Sequence, residues 1–327
     1  MRIDGNNNAN RIVAANTALA TELVEVFGFG GNDHITAPSI NPSRIWGGPD
    51  NDTIVGSTGR IQADGHYGDD LLDCSMSTNA VMIGGVGNDY LIGGNGFNML
   101  TGSEGNDTMQ GGRGTDMYEV DSVGDVIIET YQPSAGAFNP RDSVRSTVSY
   151  VLGSTLEDLT LAGTGNINGQ GNAGANVLTG NWYNNTLDGA AGNDTLSGEV
   201  GADLLRGGAG RDLLRGGDGR DTFDFNAVEE SGPTFATRDV IRDFTRGVDR
   251  IDLSGVDARA ATSGTNEAFR FVGSAAFSGD ATGQVRYVYD AAARTGTIFI
   301  STDADSAAEM SIQVNGVARL SAADFVL

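Results

Sequence analysis

The sequence predicts an all-β protein, a right-handed parallel β-roll closed by a C-terminal β cap. Three observations carry that prediction. A nine-residue period of glycines, an Asp or Asn, and one apolar residue runs through much of the chain. Forty-nine glycines in 327 residues, with only 7% aromatics, suit a turn-rich protein better than a thick helix-packed core. After Phe223 the period stops, and longer apolar strand segments take over.

One unit, GGAGRDLLR (207–215), shows the physics. Its first six residues form a turn whose positive-φ positions only glycine adopts cheaply. Its last three form a very short strand, with the middle apolar side chain pointing to one side. Such a strand cannot stand alone. Two units back to back make one coil with both apolar side chains inward, and stacked coils form parallel ladders about 4.8 Å apart.

Along the chain, residues 1–119 hold degenerate units followed by a first strict block. GNNNANRIV (5–13), GFGGNDHIT (28–36), GGPDNDTIV (47–55) and GHYGDDLLD (65–73) keep the frame loosely. Strict units start at Gly84, Gly93, Gly102 and Gly111, with Asp89, Asn98, Asp107 and Asp116 in sixth place and Leu91, Leu100, Met109 and Tyr118 in eighth. Residues 120–170 leave the period. There Val144, Val148, Tyr150 and Leu152 fall on a period of two, which predicts a β spacer that continues the solenoid with longer strands. Pro133 and Pro140 mark a protruding loop. Residues 171–223 form the second block, with Asn176, Asn185, Asp194, Asp203, Asp212 and Asp221 in sixth place. Residues 224–327 supply strand material in DVIRDFTRGVDRIDLSGVD (239–257), FRFVG (269–273), GQVRYVYD (283–290) and GTIFIS (296–301). A solenoid needs a cover over its last open coil, and this segment has the right size for one.

A coil of eighteen residues sets Asp89 over Asp107, Asp194 over Asp212, and Asp203 over Asp221. Asp33, Asp52 and Asp70 follow one another at eighteen or nineteen. Stacked carboxylates repel, and a hard, oxygen-seeking cation between them reverses the sign. Ca²⁺ takes 6–8 oxygens at roughly 2.3–2.6 Å, tolerates irregular geometry and accepts the carbonyls that glycine turns expose. Zinc prefers Cys and His, and the chain offers only Cys74, His34 and His66. Several Ca²⁺ ions are therefore the expected cofactor.

The pattern GGxGxDxUx, as it stands in these units, resembles the nonapeptide of the RTX (repeats-in-toxin) proteins, which bind Ca²⁺ in a parallel β-roll. VIRDFTRGVDRIDLS (240–254) and MSIQVNGVARLSAADFVL (310–327) resemble the C-terminal region of the serralysin proteases. The resemblance implies ions between neighbouring turns on one edge, held by carbonyls of both turns and by two sixth-position carboxylates. One ion would bridge Gly84, Val86 and Asp89 to Ser103, Gly105 and Asp107. Another would bridge Gly189, Ala191 and Asp194 to Gly208, Gly210 and Asp212. Asp33, Asp52, Asp70, Asp116, Asp203 and Asp221 are the further ligands expected from the same frame. Asn98, Asn176 and Asn185 depart from it by offering a neutral oxygen, so their sites should be weaker or empty. The resemblance also implies that Asp324-Phe325-Val326-Leu327 belongs to an uncleaved type I secretion signal, which makes the type I secretion apparatus a partner.

The charge fits this reading. The net charge is −23, with 32 Asp against 11 Glu, and all 20 basic residues are Arg. Preference for Asp points to short carboxylates held close to backbone turns. Such a charge argues against a nucleic-acid partner. No apolar run approaches the ~18 residues of a membrane span, and MRIDGNNNANRIVAAN (1–16) lacks the apolar stretch of a Sec-type signal peptide. Cys74 is the sole cysteine, so no intramolecular disulfide forms. The chain has no HExxH, no GxSxG and no Lys for a P-loop. Repeats that begin near residue 1 leave no room for a separate catalytic domain.

The expected protein is a secreted, non-enzymatic calcium binder of the cell surface, matrix or surface layer, folded by extracellular Ca²⁺. Cell-surface polysaccharide or self-assembly would supply its other contacts. Two alternatives come from other classes. One is a non-catalytic module of a larger secreted polysaccharide- or protein-processing enzyme. The other is a stand-alone cation-channel former, disfavoured by the lack of any apolar or amphipathic membrane segment.

Overall fold

The nonapeptide leaves room for three-residue strands, and such strands dominate the fold. The computed structural model describes residues 1–16, 21–39, 42–130, 140–259, 267–277 and 279–327. The chain divides into two compact units, Met1–Val148 and Ser149–Leu327.

In the first unit, successive strands alternate between two parallel sheets. One sheet runs through His34–Thr36, Thr53–Val55, Leu71–Asp73, Tyr90–Ile92 and Thr108–Gln110, with Arg11–Val13 and Val126–Ile127 at its ends. Its register stacks Ile35, Ile54, Leu72, Leu91 and Met109, all fully buried. The other sheet runs from Arg2–Asp4 through Val24–Phe27, Ser43–Pro49, Arg60–Tyr67, Asn79–Val86, Asn98–Glu104 and Asp116–Val120 to Ser143–Ser146. It stacks Ile45, Ala63, Met82, Leu100 and Tyr118. Burial of each large side chain contributes roughly 1.5–3 kcal/mol.

Several strands of this second sheet are seven or eight residues long, well beyond the three expected. Asn98–Glu104 lies in the strict block and lengthens by pairing on into its turn, Ser103 against Gly85 and Glu104 against Val86; for the other three the reason lies in the looser units. Those at 28–36, 47–55 and 65–73 supply only one half of each coil. The other half carries plain alternation, as in Ile61-Gln62-Ala63-Asp64, and its pairing runs on into the next turn, as His66 against Gly85.

The second unit repeats the plan. Leu178, Leu196, Leu214 and Ile241 stack in one parallel sheet, and Leu187, Leu205, Phe223, Ile251 and Phe325 in the other. The roll geometry outlasts the glycine repeat by one coil, because Asp239–Ile241 and Arg250–Asp252 pair onto the last repeat strands. Met310–Asn315 then adds in parallel, and Thr295–Ser301 and Gln284–Asp290 follow antiparallel, covering the open coil. The extreme C-terminus is docked as the strand Phe325–Val326 against Ile251 and Asp252.

Segment 120–170 supplies strands of two to four residues to both units: Val126–Ile127 and Ser143–Ser146 to the first, and Tyr150–Val151, Asp158–Leu161 and Gly169–Gln170 to the second. Of the expected proline-marked loop, Pro133 lies outside the described residues, and Pro140 is buried.

Candidate metal centre

The centre begins with the turn. At its second position non-glycine residues take the left-handed conformation, with φ of 73° at Ser103 and 71° at Ala190. At the fourth position of the turn 207–212 only glycine fits: Gly210 has φ of 147°, and a Cβ built on it would lie 1.5 Å from the carbonyl oxygen of Gly192. Turns a coil apart therefore stack in contact. Ser103 pairs with Gly85, Ala191 with Ala209, and Gly192 with Gly210. Of the other residues expected at the ions, Val86 pairs with Glu104, Gly105 lies over the Gly87 carbonyl, and Gly208 over that of Ala190.

This stacking fixes one oxygen of every sixth-position carboxylate. The backbone N–H of Asp89 donates to Asp107 Oδ1 at 2.8 Å. Asp33, Asp52 and Asp70 donate in the same way to Asp52, Asp70 and Asp89 at 2.7–2.8 Å. In the second unit one ladder joins Asn176, Asp194 and Asp212, and the other joins Asn185, Asp203 and Asp221. The second oxygen is different. In Asp33, Asp52, Asp70, Asp89, Asp107, Asp116, Asp194, Asp203, Asp212 and Asp221, Oδ2 is buried and has no hydrogen-bond donor.

Each orphan oxygen lies over the first glycine of its own unit. A Cβ built on Gly84 would meet Asp89 Oδ2 at 2.2 Å. One built on Gly189 would lie 2.5 Å from Asp194 Oδ2 and 2.5 Å from the Gly207 carbonyl oxygen. Gly198 has the same arrangement with Asp203 Oδ2 and the Gly216 carbonyl. A carboxylate and a carbonyl of the next coil thus face one glycine-floored space, with no proton between them. Oxygen-only donors of this kind fit a hard cation, and Ca²⁺ best among them.

Burial is the main cause of a strong electrostatic penalty in these cradles, opposed by the hydrogen bond from the preceding coil. It pushes Asp52, Asp89, Asp203, Asp212 and Asp221 up to about 6. Asp107, Asp116 and Asp194 reach about 7, and Asp70 about 8, where the charges of Asp89 and Asp52 add to the effect of burial.

The asparagines put a neutral amide at the same place, and its hydrogen bonds are satisfied. Asn98 Nδ2 donates to Asp116 Oδ1 at 2.8 Å and to the carbonyls of Gly96 and Gly111 at 2.9 and 3.1 Å. Its Oδ1 accepts the backbone N–H of Ala80. Asn185 Nδ2 donates to the Ile167 carbonyl at 2.6 Å, while its Oδ1 accepts from Asn181. Asn176 is spent likewise on Leu156, Glu157 and Asn172. At Asn98 the amide nitrogen faces its first glycine, Gly93, whereas Asn176 and Asn185 turn Oδ1 to Gly171 and Gly180, where the backbone N–H of Asn172 and Asn181 satisfies it.

The ladders also run beyond the repeats. Asp212 N donates to Asp239 Oδ1 at 2.7 Å, and Asp239 Oδ2 is another buried orphan, its carboxyl pushed to about 9 chiefly by burial. Asp125, Asp142 and Asp249 accept from Asp107, Asp116 and Asp221. None of the four follows a GGxGx turn of the repeat, and the sequence mark they share is an Asp two residues ahead of a Val or Ile: Asp125-Val126-Ile127, Asp142-Ser143-Val144, Asp239-Val240-Ile241 and Asp249-Arg250-Ile251.

Fold and centre define a parallel β-roll of the RTX type, with an oxygen-lined cradle at its glycine-rich turns. The chain belongs to the family described as Peptidase M10 serralysin C terminal, whose model matches residues 19–327. That family is the non-catalytic RTX region of secreted proteins, and its rolls bind Ca²⁺. Among solved structures, the chain is similar to the AlgE6R3 subunit of the Azotobacter vinelandii mannuronan C5-epimerase. The identity is 27%, over 55% of this chain and 82% of that one, with a TM-score of 0.34. The AlgE6R2 subunit of the same enzyme is 24% identical over 50% of this chain and 92% of that one, with a TM-score of 0.35. The extracellular lipase LipA from Serratia marcescens is 17% identical over 88% of this chain and 40% of that one, with a TM-score of 0.28. A search among curated proteins finds no match. Among the described residues, no helix is long and apolar enough to cross a membrane.

Proposed function

We propose that the chain is a non-enzymatic roll folded by extracellular Ca²⁺ and serving as a structural or adhesive element of a cell surface, matrix or surface layer. The observation that supports this most is the set of eleven buried aspartate oxygens, among the described residues, that have no donor. Raising one carboxyl from 3.8 to about 6 corresponds to about 3 kcal/mol of unfavourable charge burial. Several such carboxylates together exceed the ~5–15 kcal/mol by which domains are stable. At neutral pH the cation-free chain therefore stays unfolded, which suits threading through a type I export channel.

Outside the cell a bound Ca²⁺ supplies the opposite charge that these carboxylates lack. The sixth-position Asp would hold it, the first glycine leaves it space, and the backbone N–H groups keep each carboxylate aimed. At tenfold excess over its Kd, each ion adds roughly 1.4 kcal/mol, so several ions together decide folding. Polysaccharide binding or self-assembly is the matching use of an extended roll face. Circular dichroism tests the core of the reading: coil in chelator at pH 7.5 and β structure in millimolar Ca²⁺. A chain already folded in chelator at that pH overturns it.

A second reading, a non-catalytic module of a larger secreted polysaccharide- or protein-processing enzyme, is favoured by the family match to a region C-terminal to a peptidase. It predicts a longer reading frame upstream of Met1 and retention of the folded chain on the enzyme's polymer substrate.

A further inference from the structure

The coil that ends at Asp116 is built unlike the repeated cradles. Asp116 is wholly buried, and its Oδ1 takes both the backbone N–H and the amide of Asn98 at 2.8 Å. Its Oδ2 has no donor. No nonapeptide follows to stack on this turn. Instead Glu129 and Asp142 close on it, and one carboxylate oxygen from each of Asp116, Glu129 and Asp142 lies within 4.8 Å of the other two. Asp142 is positioned by Asp116 itself, whose backbone N–H donates to Asp142 Oδ1 at 2.7 Å. Tyr118, also wholly buried, donates its hydroxyl to Glu129 Oε2 at 3.0 Å. A Cβ built on Gly111 would lie 2.1 Å from the Tyr118 hydroxyl and 2.4 Å from Asp116 Oδ2. The orphan oxygen, the phenol and its Glu129 partner therefore share one space over a glycine.

We propose that Asp116, Glu129 and Asp142, with the Tyr118 hydroxyl beside them, form a Ca²⁺ site separate in composition from the repeated cradles of one carboxylate and one carbonyl. The donors are all oxygen, which selects a hard cation. Mg²⁺ keeps several waters and demands near-octahedral geometry, which a buried Asp beside a phenol serves poorly. Three carboxylates give more ligand charge than a repeated cradle has, and affinity rises with ligand charge count. This site fills first in its unit. It also stands alone on its edge, because the Asn98 amide occupies the cradle one coil back. Filling it ties Glu129 and Asp142 onto the coil of Gly111–Tyr118. The inference rests on the reading that the roll takes Ca²⁺, and its test separates the two.

The probe is Tb³⁺, which emits when a tyrosine within a few ångströms absorbs for it, alongside a direct count of Ca²⁺ bound per full chain. Glu129 lies at the partly exposed rim, so Glu129→Gln should fold in Ca²⁺, and circular dichroism checks that it does. The wild-type chain is expected to show a tyrosine-sensitised component that saturates at the lowest Tb³⁺. Glu129→Gln should bind one Ca²⁺ fewer and weaken that component at least tenfold. Tyr118→Phe should lose the same emission while keeping most of the ion count. An unchanged count and unchanged first component in Glu129→Gln overturn the site, as does full retention of that component in Tyr118→Phe. A wild-type chain that binds no Ca²⁺ would instead sink the broader reading.

Discussion

At the scale of single residues, the choice between carboxylate and amide in sixth place decides whether a turn needs a cation. Asp203 and Asn185 are neighbours in one ladder, and the N–H of Asn185 donates to Asp203 Oδ1 at 2.7 Å. Asp203 keeps an orphan oxygen over Gly198, whereas Asn185 Oδ1 over Gly180 accepts the backbone N–H of Asn181 and its Nδ2 donates to the Ile167 carbonyl. Asp203→Asn should therefore behave in two opposite ways. In Ca²⁺ it loses at least one bound ion, read by calorimetric titration. In chelator it should keep its fold to a higher pH than the parent, read by circular dichroism as pH is raised from 4.5, because a buried carboxyl that must ionise has been removed. A variant that unfolds at a lower pH than the parent in chelator would show that the amide cannot replace the ion. Glycine in fourth place answers to a different cause, the contact between turns. Gly210→Ala forces a side chain against the Gly192 carbonyl at a φ of 147°, and should cost about 3 kcal/mol or more even in saturating Ca²⁺. Urea denaturation in Ca²⁺ measures it.

At the scale of the element, a coil is two strands with one inward apolar side chain each. Leu196 lies between Leu178 and Leu214 in register and is fully buried. Leu196→Ala should cost about 2–5 kcal/mol, seen as a lower urea midpoint in Ca²⁺ with the slope retained. The nine-residue period makes this register legible in advance, since a fixed period places Leu over Leu and Asp over Asp without any long-range inference. What the period hides is equally specific. Asp239 continues the Asp212 ladder across 27 residues, because a longer excursion replaces the glycine turn and only the Asp-Val-Ile triplet survives. The long strands of the first unit are hidden too, since one half of each coil there carries alternation in place of the repeat. Nor does a pattern of Asn say where an amide points. The protons of Asn98 go to Gly96, Gly111 and Asp116 only because the turns stack in contact.

At the scale of the whole molecule, the cradles act together through pH. In the cation-free fold, burial raises carboxyls from 3.8 to between about 6, as at Asp89, and about 9, as at Asp239. From about 3.8 up to those raised values the folded chain holds more protons than the unfolded one, so its stability falls as pH rises through that window. The cation-free roll should therefore be most stable near pH 4 and lose its fold on the way to pH 8. The net charge of −23 pushes in the same direction, because protonation also relieves repulsion across the chain. Calcium reverses the dependence. Protons compete with it for the same oxygens, so the Ca²⁺ concentration at half-folding should rise as pH falls from 8 towards 6. Circular dichroism in chelator at pH 4.5 and pH 8, with Ca²⁺ titrations at pH 8 and 6, reads both halves. A chelated chain with more β structure at pH 8 than at pH 4.5 would mean that the buried carboxylates do not control folding. Acid and calcium would then be acting elsewhere than on the oxygens that the stacked turns leave without a partner.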